Sequence, residues 1–256
     1  MSDYYDYKGK QRNKESEQHR SRQEEPSLKI IARIRTDFPE KFGIPRQSGL
    51  INAAKGIIEF EPKYRNVDSL RGLEGFSHIW LIWQFSENVR ETWATMVKPP
   101  RLGGNKRMGV FATRSPFRPN AIGLSCVKLD CIEFHPENGP LLHVSGVDLM
   151  DNTPIYDIKP YLPYTDSHPE ATGGFADPLK DYELEVIFPE HLRNMVPDVH
   201  HEAIMGILKQ DPRPSYQNDP ERIYGFGYAG FNIRFTVRDH VLTVCEVSPF
   251  CEYSHE

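Results

Sequence analysis

Short apolar segments recur along the first two thirds of the chain, and turns separate them rather than long amphipathic stretches. His78–Phe85 is nearly continuous in apolar residues and rich in β-branched and aromatic types, which favours a strand buried on both faces. The other segments of this kind are Lys29–Arg35, Gly56–Phe60, Met108–Thr113, Gly123–Leu129 and Leu141–Leu149. Several short strands with turn signals between them predict a mainly β fold, a closed or nearly closed barrel rather than a βαβ fold.

The two ends of the chain follow different patterns. Residues 1–26 are dense in Lys, Arg, Glu, Gln and Ser and almost free of aliphatic side chains, so a disordered tail is predicted there. After about Pro169, an amphipathic helix is expected from Asp198 to about Gln210, with Val199 on its apolar face. The segments Phe231–Val237 and Val241–Val247 then predict a hairpin. The predicted organisation is a tail (1–26), a β-barrel domain (27–169) and a small α+β domain (170–256).

The charges are distributed unevenly. A formal net charge of -5 and a pI near 6.1 exclude a uniformly basic, nucleic-acid-coating protein. Yet Thr92 to Leu129 contains no Asp or Glu, and its cations are Lys98, Arg101, Lys106, Arg107, Arg114, Arg118 and Lys128. Because like charges repel, such a cluster indicates a surface that meets an anion. A solvated basic face is the alternative.

Several classes of site and location are disfavoured. No run approaches the ~18 apolar residues of a membrane span, and the N-terminus lacks the apolar core of a signal peptide, so a cytoplasmic protein is expected. The cysteines lack metal-ligand spacing, so no metal is expected, and Cys126 and Cys131 are expected to be buried in strands. Gly225–Gly230 has the glycine spacing of a dinucleotide-binding loop, but strand-like sequence follows it where such a loop needs a helix. These glycines are therefore interpreted as turn or bulge positions between strands.

Three polar clusters remain as candidate chemistry. The loop Pro45-Arg46-Gln47 can present guanidinium and amide groups to a ligand, or be an ordinary surface turn. Asp148–Asp151 follows an apolar strand and could receive a cationic or hydroxyl-rich ligand, although a turn cap is the alternative. In Asp211-Pro-Arg213-Pro, two prolines hold the arginine extended beside an aspartate.

The chain resembles the TrmO family of tRNA methyltransferases, which share a TsaA-like barrel. The central matching motif is Gly109–Asn120. The other matching segments, in order, are Pro45–Gln47, Arg71–His78, Pro99–Gly104, Asp148–Asp151, Asp157–Pro163, Asp211–Pro214 and Phe231–Arg234. The similarity extends over everything after the tail.

This resemblance implies a TsaA-like single-sheeted β-barrel that binds S-adenosyl-L-methionine, plus a small C-terminal domain that contacts tRNA. It implies an enzyme that works as a homodimer and methylates the exocyclic N6 of threonylcarbamoyladenosine next to the anticodon. Carried over by position, the cofactor site comprises Pro45, Arg46, Gln47, Ser86, Glu87, Arg114, Leu124, Asp148, Leu149, Met150 and Asp151. Ser86 departs from the family pattern, in which His is frequent at this position.

The chemistry of these side chains is compatible with that reaction. Arg46 or Arg114 can pair with the carboxylate of the methyl donor, and Asp148 or Asp151 can accept from its amino or ribose groups. Candidate RNA contacts are Arg101, Arg107, Arg118 and Asn120 for the anticodon stem-loop, Tyr216 or Tyr224 for stacking on a flipped adenine, and Asn232 and Arg234 for the threonine carboxylate or the backbone.

Two residues are the catalytic candidates. Asp211 is the expected general base, and Arg213 is expected to hold the threonine carboxylate or the RNA backbone. Acylation makes the exocyclic N–H more acidic, so one modest base and correct positioning can suffice. The rival interpretation is a β-barrel module that binds RNA or an adenine ligand without chemistry.

Overall fold

Residues 27–88, 92–99, 106–179, 182–213 and 219–250, which the computed structural model describes, are mainly β. The strands are β1 (Ala32–Thr36), β2 (Lys55–Phe60), β3 (His78–Gln84), β4 (Met96–Val97), β5 (Met108–Gly109), β6 (Ile122–His135), β7 (Gly139–Ser145), β8 (Thr153–Pro160), β9 (Glu185–Ile187), β10 (Tyr224–Tyr228), β11 (Phe231–Arg238) and β12 (Val241–Pro249). The α-helices are α1 (Pro163–Asp166), α2 (Glu190–Arg193) and α3 (His201–Lys209). Short 3₁₀ helices cover Pro62–Tyr64, Val67–Leu70, Leu73–Gly75, Ser86–Asn88, Val110–Ala112, Gly174–Leu179 and Asp198–His200.

Six antiparallel strands close into a barrel in the order β1-β2-β7-β6-β3-β8, which confirms the predicted fold class. Side chains alternate between the packed interior and the outside, as the period of a strand requires. In β3, Ile79, Leu81 and Trp83 are buried, while the residues between them are half-buried. The expectation that β3 is buried on both faces is therefore wrong. In a closed barrel only one face of each strand points into the core, and the outer face of β3, which carries Trp80, is only partly covered.

Other segments also differ from the sequence prediction. The pattern did not predict β8, whose Pro154 and Pro160 resemble turn signals. Both prolines lie near the ends of the strand, where a missing N–H interrupts the ladder least.

The expected strand at Met108–Thr113 reduces to the two residues of β5, because the chain then turns into a 3₁₀ helix. Cys126 is only half-buried, because it lies on the outer face of β6, and Cys131 is exposed, since a bulge in β6 between Leu129 and Cys131 interrupts the alternation.

The C-terminal region forms a second sheet in the order β10-β11-β12-β9, with β9 parallel to β12. Asp239 and His240 connect β11 to β12 with positive φ at both residues, the geometry of a type I′ hairpin turn, as the sequence predicts. Helix α3 buries Ala203, Ile204, Ile207 and Leu208. Val199 precedes this helix and is 78% exposed, so its expected place on the apolar face is wrong.

The loop between β1 and β2 packs against the C-terminal sheet and carries the Pro45-Arg46-Gln47 cluster. Phe38 contacts Tyr228 with ring centroids 5.1 Å apart, and the backbone N–H of Ala229 donates to the carbonyl of Asp37 at 2.9 Å. Gly43 has a φ of +93°, and a Cβ there would come within 2.9 Å of the Phe226 side chain. The hydrophobic core is continuous from the barrel into the C-terminal sheet, so this loop is held from both sides.

Candidate active site

A cavity of about 630 Å³ opens at one mouth of the barrel. The end of β3, the start of β6, the β7–β8 connection and the β1–β2 loop all meet there, because antiparallel neighbours begin and end at the same edge. Nine of the predicted cofactor residues line the cavity: Pro45, Arg46, Gln47, Ser86, Glu87, Arg114, Leu124, Asp148 and Met150. Segments more than 100 residues apart in the chain therefore meet at one site.

Asp148 contributes a largely buried carboxylate to this cavity. The Ser125 hydroxyl donates to its Oδ1 at 2.6 Å, and the Trp83 indole N–H donates to the Ser125 oxygen at 2.9 Å. Burial raises the pKa of Asp148 to about 6, although the Ser125 hydroxyl, backbone hydrogen bonds and the charge of Arg114 oppose that increase. At neutral pH the group is mainly ionised, and it retains more affinity for a proton than an exposed aspartate.

The rest of the lining supplies cationic, amide and apolar groups. The Arg114 guanidinium donates to the side-chain oxygen of Gln47, and Arg118 donates to the Thr113 carbonyl at 3.0 Å, which closes the loop that carries Arg114. Leu124 is 52% exposed and presents an apolar side chain to the cavity. One mouth of the barrel thus combines an anion, a cation and an apolar surface.

Arg46 faces the C-terminal domain. Its Nη2 donates to the backbone carbonyl oxygens of Asp211, at 2.9 Å, and Arg213, at 3.3 Å. Because these contacts engage part of its guanidinium, Arg114 is the better placed of the two arginines to pair with a ligand carboxylate. Arg46 instead connects the cavity wall to the Asp211–Arg213 segment.

Asp211 and Arg213 form a nearly buried ion pair. Arg213 Nε donates to Asp211 Oδ1 at 2.8 Å and its Nη2 donates to Oδ2 at 3.0 Å, while the Tyr182 hydroxyl also donates to Oδ2 at 3.1 Å. Burial alone would raise the pKa of Asp211, but Arg213 and Tyr182 outweigh it and hold this pKa below its usual value. These contacts argue against the expected role of Asp211 as the general base, because its lone pairs are engaged and its basicity is reduced.

The remaining predicted site residues lie partly in the cavity and partly outside it. Arg118 and Asn120 line the cavity. Arg107 is exposed and precedes the Arg114–Asn120 segment in the chain. Leu149 is buried in the core. Asp151 accepts a hydrogen bond from the backbone N–H of Thr36 at 3.0 Å and lies 3.6 Å from the Arg35 guanidinium. It therefore connects the β7–β8 loop to the end of β1 and does not line the cavity.

The predicted RNA contacts of the C-terminal sheet do not converge on the cavity. Tyr224 is 5% exposed and its ring stacks on Phe235, so its expected stacking on a flipped adenine is incompatible with this packing. Arg234 pairs with Glu246 at 2.7 Å, and Asn232 lies on the same face of β11. Arg101 and Tyr216 fall outside the described residues.

Some residues of the site were not predicted from the sequence. Trp83 and Ser125 hold the Asp148 carboxylate, and Gly123 allows the Trp83 ring to approach, since a Cβ at this glycine would lie 2.2 Å from the indole. A signal for Ser125 exists in the sequence: it occupies an inward position of β6 between Gly123 and Val127, where a polar side chain requires a buried partner.

Family profiles match two parts of this chain. That of the tRNA-methyltransferase O N-terminal domain matches residues 33–167, and that of the TrmO C-terminal domain matches residues 181–250. The chain belongs to the TrmO family. A relative from Escherichia coli K12, the tRNA (adenine(37)-N6)-methyltransferase, is 39% identical over 227 residues, which span 86% of this chain and 96% of the relative.

Other TrmO-like proteins agree with this assignment. A Pseudomonas aeruginosa relative, provisionally named as an S-adenosylmethionine-dependent methyltransferase, is 42% identical over 207 residues, covering 78% of this chain and 87% of its own length. The crystal structure of TrmO from Pseudomonas aeruginosa superposes with a TM-score of 0.68 at 35% identity, covering 88% of this chain and all of that one.

Two general properties complete the description of this TrmO family member. Within the described ranges, no group of three or more His, Cys, Asp or Glu side chains is arranged to hold a metal ion. In the same ranges, no helix is both long enough and apolar enough to cross a membrane.

Proposed function

We propose that this protein transfers a methyl group from S-adenosyl-L-methionine to the exocyclic N6 of threonylcarbamoyladenosine next to the anticodon of tRNA. The observation that supports it most directly is the cavity at the barrel mouth, in which the Asp148 carboxylate, the Arg114 guanidinium and the apolar Leu124 line one space. The names of the relatives support the same reaction class, because they describe tRNA (adenine(37)-N6)-methyltransferases.

The lining residues fit the methyl donor in charge and size. S-adenosyl-L-methionine carries a sulfonium cation, an ammonium, a carboxylate and an adenine ring, and it supplies an electrophilic methyl group. Asp148 offers the negative charge for a cationic group, Arg114 together with Gln47 offers donors for a carboxylate, and Leu124 offers an apolar contact for the ring. A volume of about 630 Å³ lies within the usual range for sites of small ligands.

Asp148 is also the candidate proton acceptor. Methyl transfer breaks a carbon–sulfur bond and forms a carbon–nitrogen bond at N6, so the nitrogen must lose its proton. Asp148 has a pKa of about 6, close to neutral pH, whereas the pKa of Asp211 is lowered. An ionised Asp148 stabilises a cationic donor first and takes the proton as positive charge arrives at the acceptor nitrogen.

Arg213 has a positioning role in this proposal. The Asp211 carboxylate fixes its guanidinium through two hydrogen bonds, and Arg46 connects this segment to the cavity wall. The Arg213 guanidinium, fixed in one orientation, can bind and orient the anionic acceptor through its threonine carboxylate or a phosphate. We further propose that residues 27–169 bind the donor, that residues 170–256 contact the tRNA, and that the protein works as a homodimer.

Mass spectrometry of nucleosides tests the reaction. The full-length protein is incubated with S-adenosyl-L-methionine and either threonylcarbamoylated or unmodified tRNA. We expect a gain of one methyl group on threonylcarbamoyladenosine and none on the unmodified tRNA. Donor binding by calorimetry without any methyl gain would instead establish a non-catalytic binding module, and methylation of unmodified tRNA would contradict the proposed acceptor.

A further inference from the structure

Trp93 and Phe111 form an exposed aromatic pair beside the cavity. Their ring centroids are 5.9 Å apart and their planes are inclined by 27°, and yet Trp93 is 47% and Phe111 is 70% exposed. We propose that this pair is a stacking platform for an unpaired base of the RNA substrate. The proposal rests on the proposed function, and it assigns a contact surface for the single-stranded anticodon loop.

The two rings belong to one small substructure, the arm, defined as residues 92–99 and 106–120. Strands β4 and β5 pair within it, the backbone N–H of Val110 donates to the Thr95 carbonyl at 3.0 Å, and that of Ala94 donates to the Phe117 carbonyl at 2.9 Å. These hydrogen bonds hold the rings side by side without burying them. Because stacking costs little when the platform is already ordered, this preformed pair suits a flat apolar ligand.

The arm is cationic and contains no acidic residue. It carries Lys98, Lys106, Arg107, Arg114 and Arg118. In the part of the chain that the structure describes, Lys98, Lys106 and Arg107 form no ion pair, and all three are exposed. Positive charge around an exposed aromatic pair matches the combination of phosphates and unstacked bases in single-stranded RNA. The same charge repels a second copy of the arm, which disfavours self-association through this surface.

The position of the arm is appropriate for the reaction. Phe111 lies two residues before Thr113, and Thr113, Arg114 and Arg118 line the cavity. A base stacked on the pair would therefore lie in a loop whose neighbouring nucleotides can reach the cavity mouth. Tyr224, one of the two aromatic residues expected to stack on a flipped adenine, is buried, whereas Trp93 and Phe111 offer an exposed aromatic surface for an unpaired base.

Matched variants test the proposal with a synthetic anticodon stem-loop RNA as the probe. Phe111→Ala and Trp93→Ala should each weaken binding about tenfold or more, as the loss of one stacked base predicts. Trp93→Phe, which retains an aromatic ring, should bind almost as tightly as the wild type. Phe134→Ala is the control, because Phe134 is 60% exposed on β6 and lies outside the cavity and the arm. It should leave binding unchanged.

Further measurements separate this proposal from its rivals. Calorimetry of S-adenosyl-L-methionine should give the same affinity for Phe111→Ala as for the wild type. The slope of the logarithm of the RNA binding constant against the logarithm of salt concentration should be the same in Phe111→Ala as in the wild type. In Arg107→Gln the magnitude of this slope should fall by about one, since only this variant removes a cation proposed to contact a phosphate.

Two results would overturn the proposal. The first is unchanged RNA binding in both alanine variants of a wild type that does bind and methylate RNA. The second is a change of oligomeric state by sedimentation velocity, with RNA affinity per protomer unaltered, which would assign the pair to a protein interface. If the wild type binds donor and RNA without methyl transfer, the proposed function fails while the platform stands.

Discussion

Asp148 and Asp211 are both largely buried, and their surroundings give them opposite properties. Asp148 lies at the barrel mouth with a hydroxyl donor, and burial raises its pKa to about 6. Asp211 lies in the C-terminal domain, and the bidentate guanidinium of Arg213 outweighs burial and lowers its pKa. Hydroxyl and backbone donors, together with an Arg114 charge that forms no ion pair with it, only partly compensate Asp148 for lost hydration, whereas the directly paired guanidinium of Arg213 compensates Asp211 fully.

This difference separates the two roles of the site. A carboxylate whose pKa is near neutrality can exchange a proton and respond to the charge of a ligand. A carboxylate locked to an arginine is a fixed anion, and its function is to hold that arginine in one orientation. From the sequence, Asp211 is the expected general base and Asp148 an expected contact of the methyl donor, because neither motif reveals the partners that set the pKa of its carboxyl.

The largest expected effect follows from breaking the Asp211–Arg213 pair. Arg213→Ala leaves a buried, unpaired carboxylate, since the two side chains are only 10% and 12% exposed. We expect the free energy of unfolding in urea to fall by about 3–5 kcal/mol. The double variant Asp211→Ala/Arg213→Ala removes the orphaned charge and should recover part of the loss. A double variant less stable than Arg213→Ala would contradict the orphaned-charge explanation.

Arg213→Ala should also distinguish the two regions in function. Arg213 does not line the cavity, so the affinity for S-adenosyl-L-methionine, measured by calorimetry at a temperature where the variant is folded, should stay close to that of the wild type. Turnover on threonylcarbamoylated tRNA should fall far more, because the acceptor loses a positioned cation. Equal losses in both quantities would show that the division of roles is wrong.

Neutralising Asp148 should have the next largest effect, and of opposite sign. Moving the pKa of a carboxyl from 3.8 to about 6 on folding costs roughly 3 kcal/mol of stability at neutral pH. Between pH 4 and 6 the folded state binds more protons than the unfolded state, so this cost grows as pH rises. Asp148→Asn should therefore stabilise the protein above pH 6 and change little below pH 4, as measured by urea unfolding across pH.

Asp211 provides the internal comparison for that measurement. Its pKa is lowered in the folded state, so its stabilising contribution is present above the pKa of the unfolded chain and is lost as pH falls through the folded value. Asp211→Asn should thus be destabilising at neutral pH and lose this effect in acid. Identical pH profiles for the two asparagine variants would contradict the contrast between the two sites.

Donor binding should show a smaller, tenfold effect. If the ionised form of Asp148 holds the cationic end of S-adenosyl-L-methionine, affinity falls as the carboxyl is protonated. With a pKa of about 6, calorimetry should give about tenfold weaker binding at pH 5 than at pH 7. Asp148→Asn should bind weakly at both pH values, with no such dependence. A wild-type affinity that is flat over this range would remove Asp148 from the cation contact.

Local patterns predicted most of the barrel, and long-range contacts account for what they missed. Alternation and β-branched residues identified β2, β3 and β6, because these signals lie within each strand. The prolines of β8 concealed a strand whose partners, β1 and β3, are distant in sequence. In the site, the resemblance brought Gln47, Arg114 and Asp148 together. It could not show that the acceptors of Arg46 lie 165 and 167 residues away.

The same limit explains the aromatic residues. Tyr224 and Phe111 are both aromatic and close to glycines, but only the fold shows that one packs into a sheet core and the other faces solvent. The exposure of a side chain depends on which distant segments pack over it, and a single sequence does not show which segments those are.

The smallest predicted effect concerns Ser125, which connects Trp83 to Asp148. Ser125→Ala removes one hydrogen bond to the ionised carboxylate, worth about 1–2 kcal/mol, and so raises the pKa of Asp148 further. The midpoint of the pH dependence of donor affinity should then move to higher pH, while affinity on its alkaline plateau changes little. Ser145→Ala is the matched control, since Ser145 is a buried barrel serine that contacts Asp130 and not the cavity. If both variants leave the midpoint in place, the hydroxyl does not lower the pKa of Asp148, and only the backbone hydrogen bonds and the charge of Arg114 oppose the effect of burial.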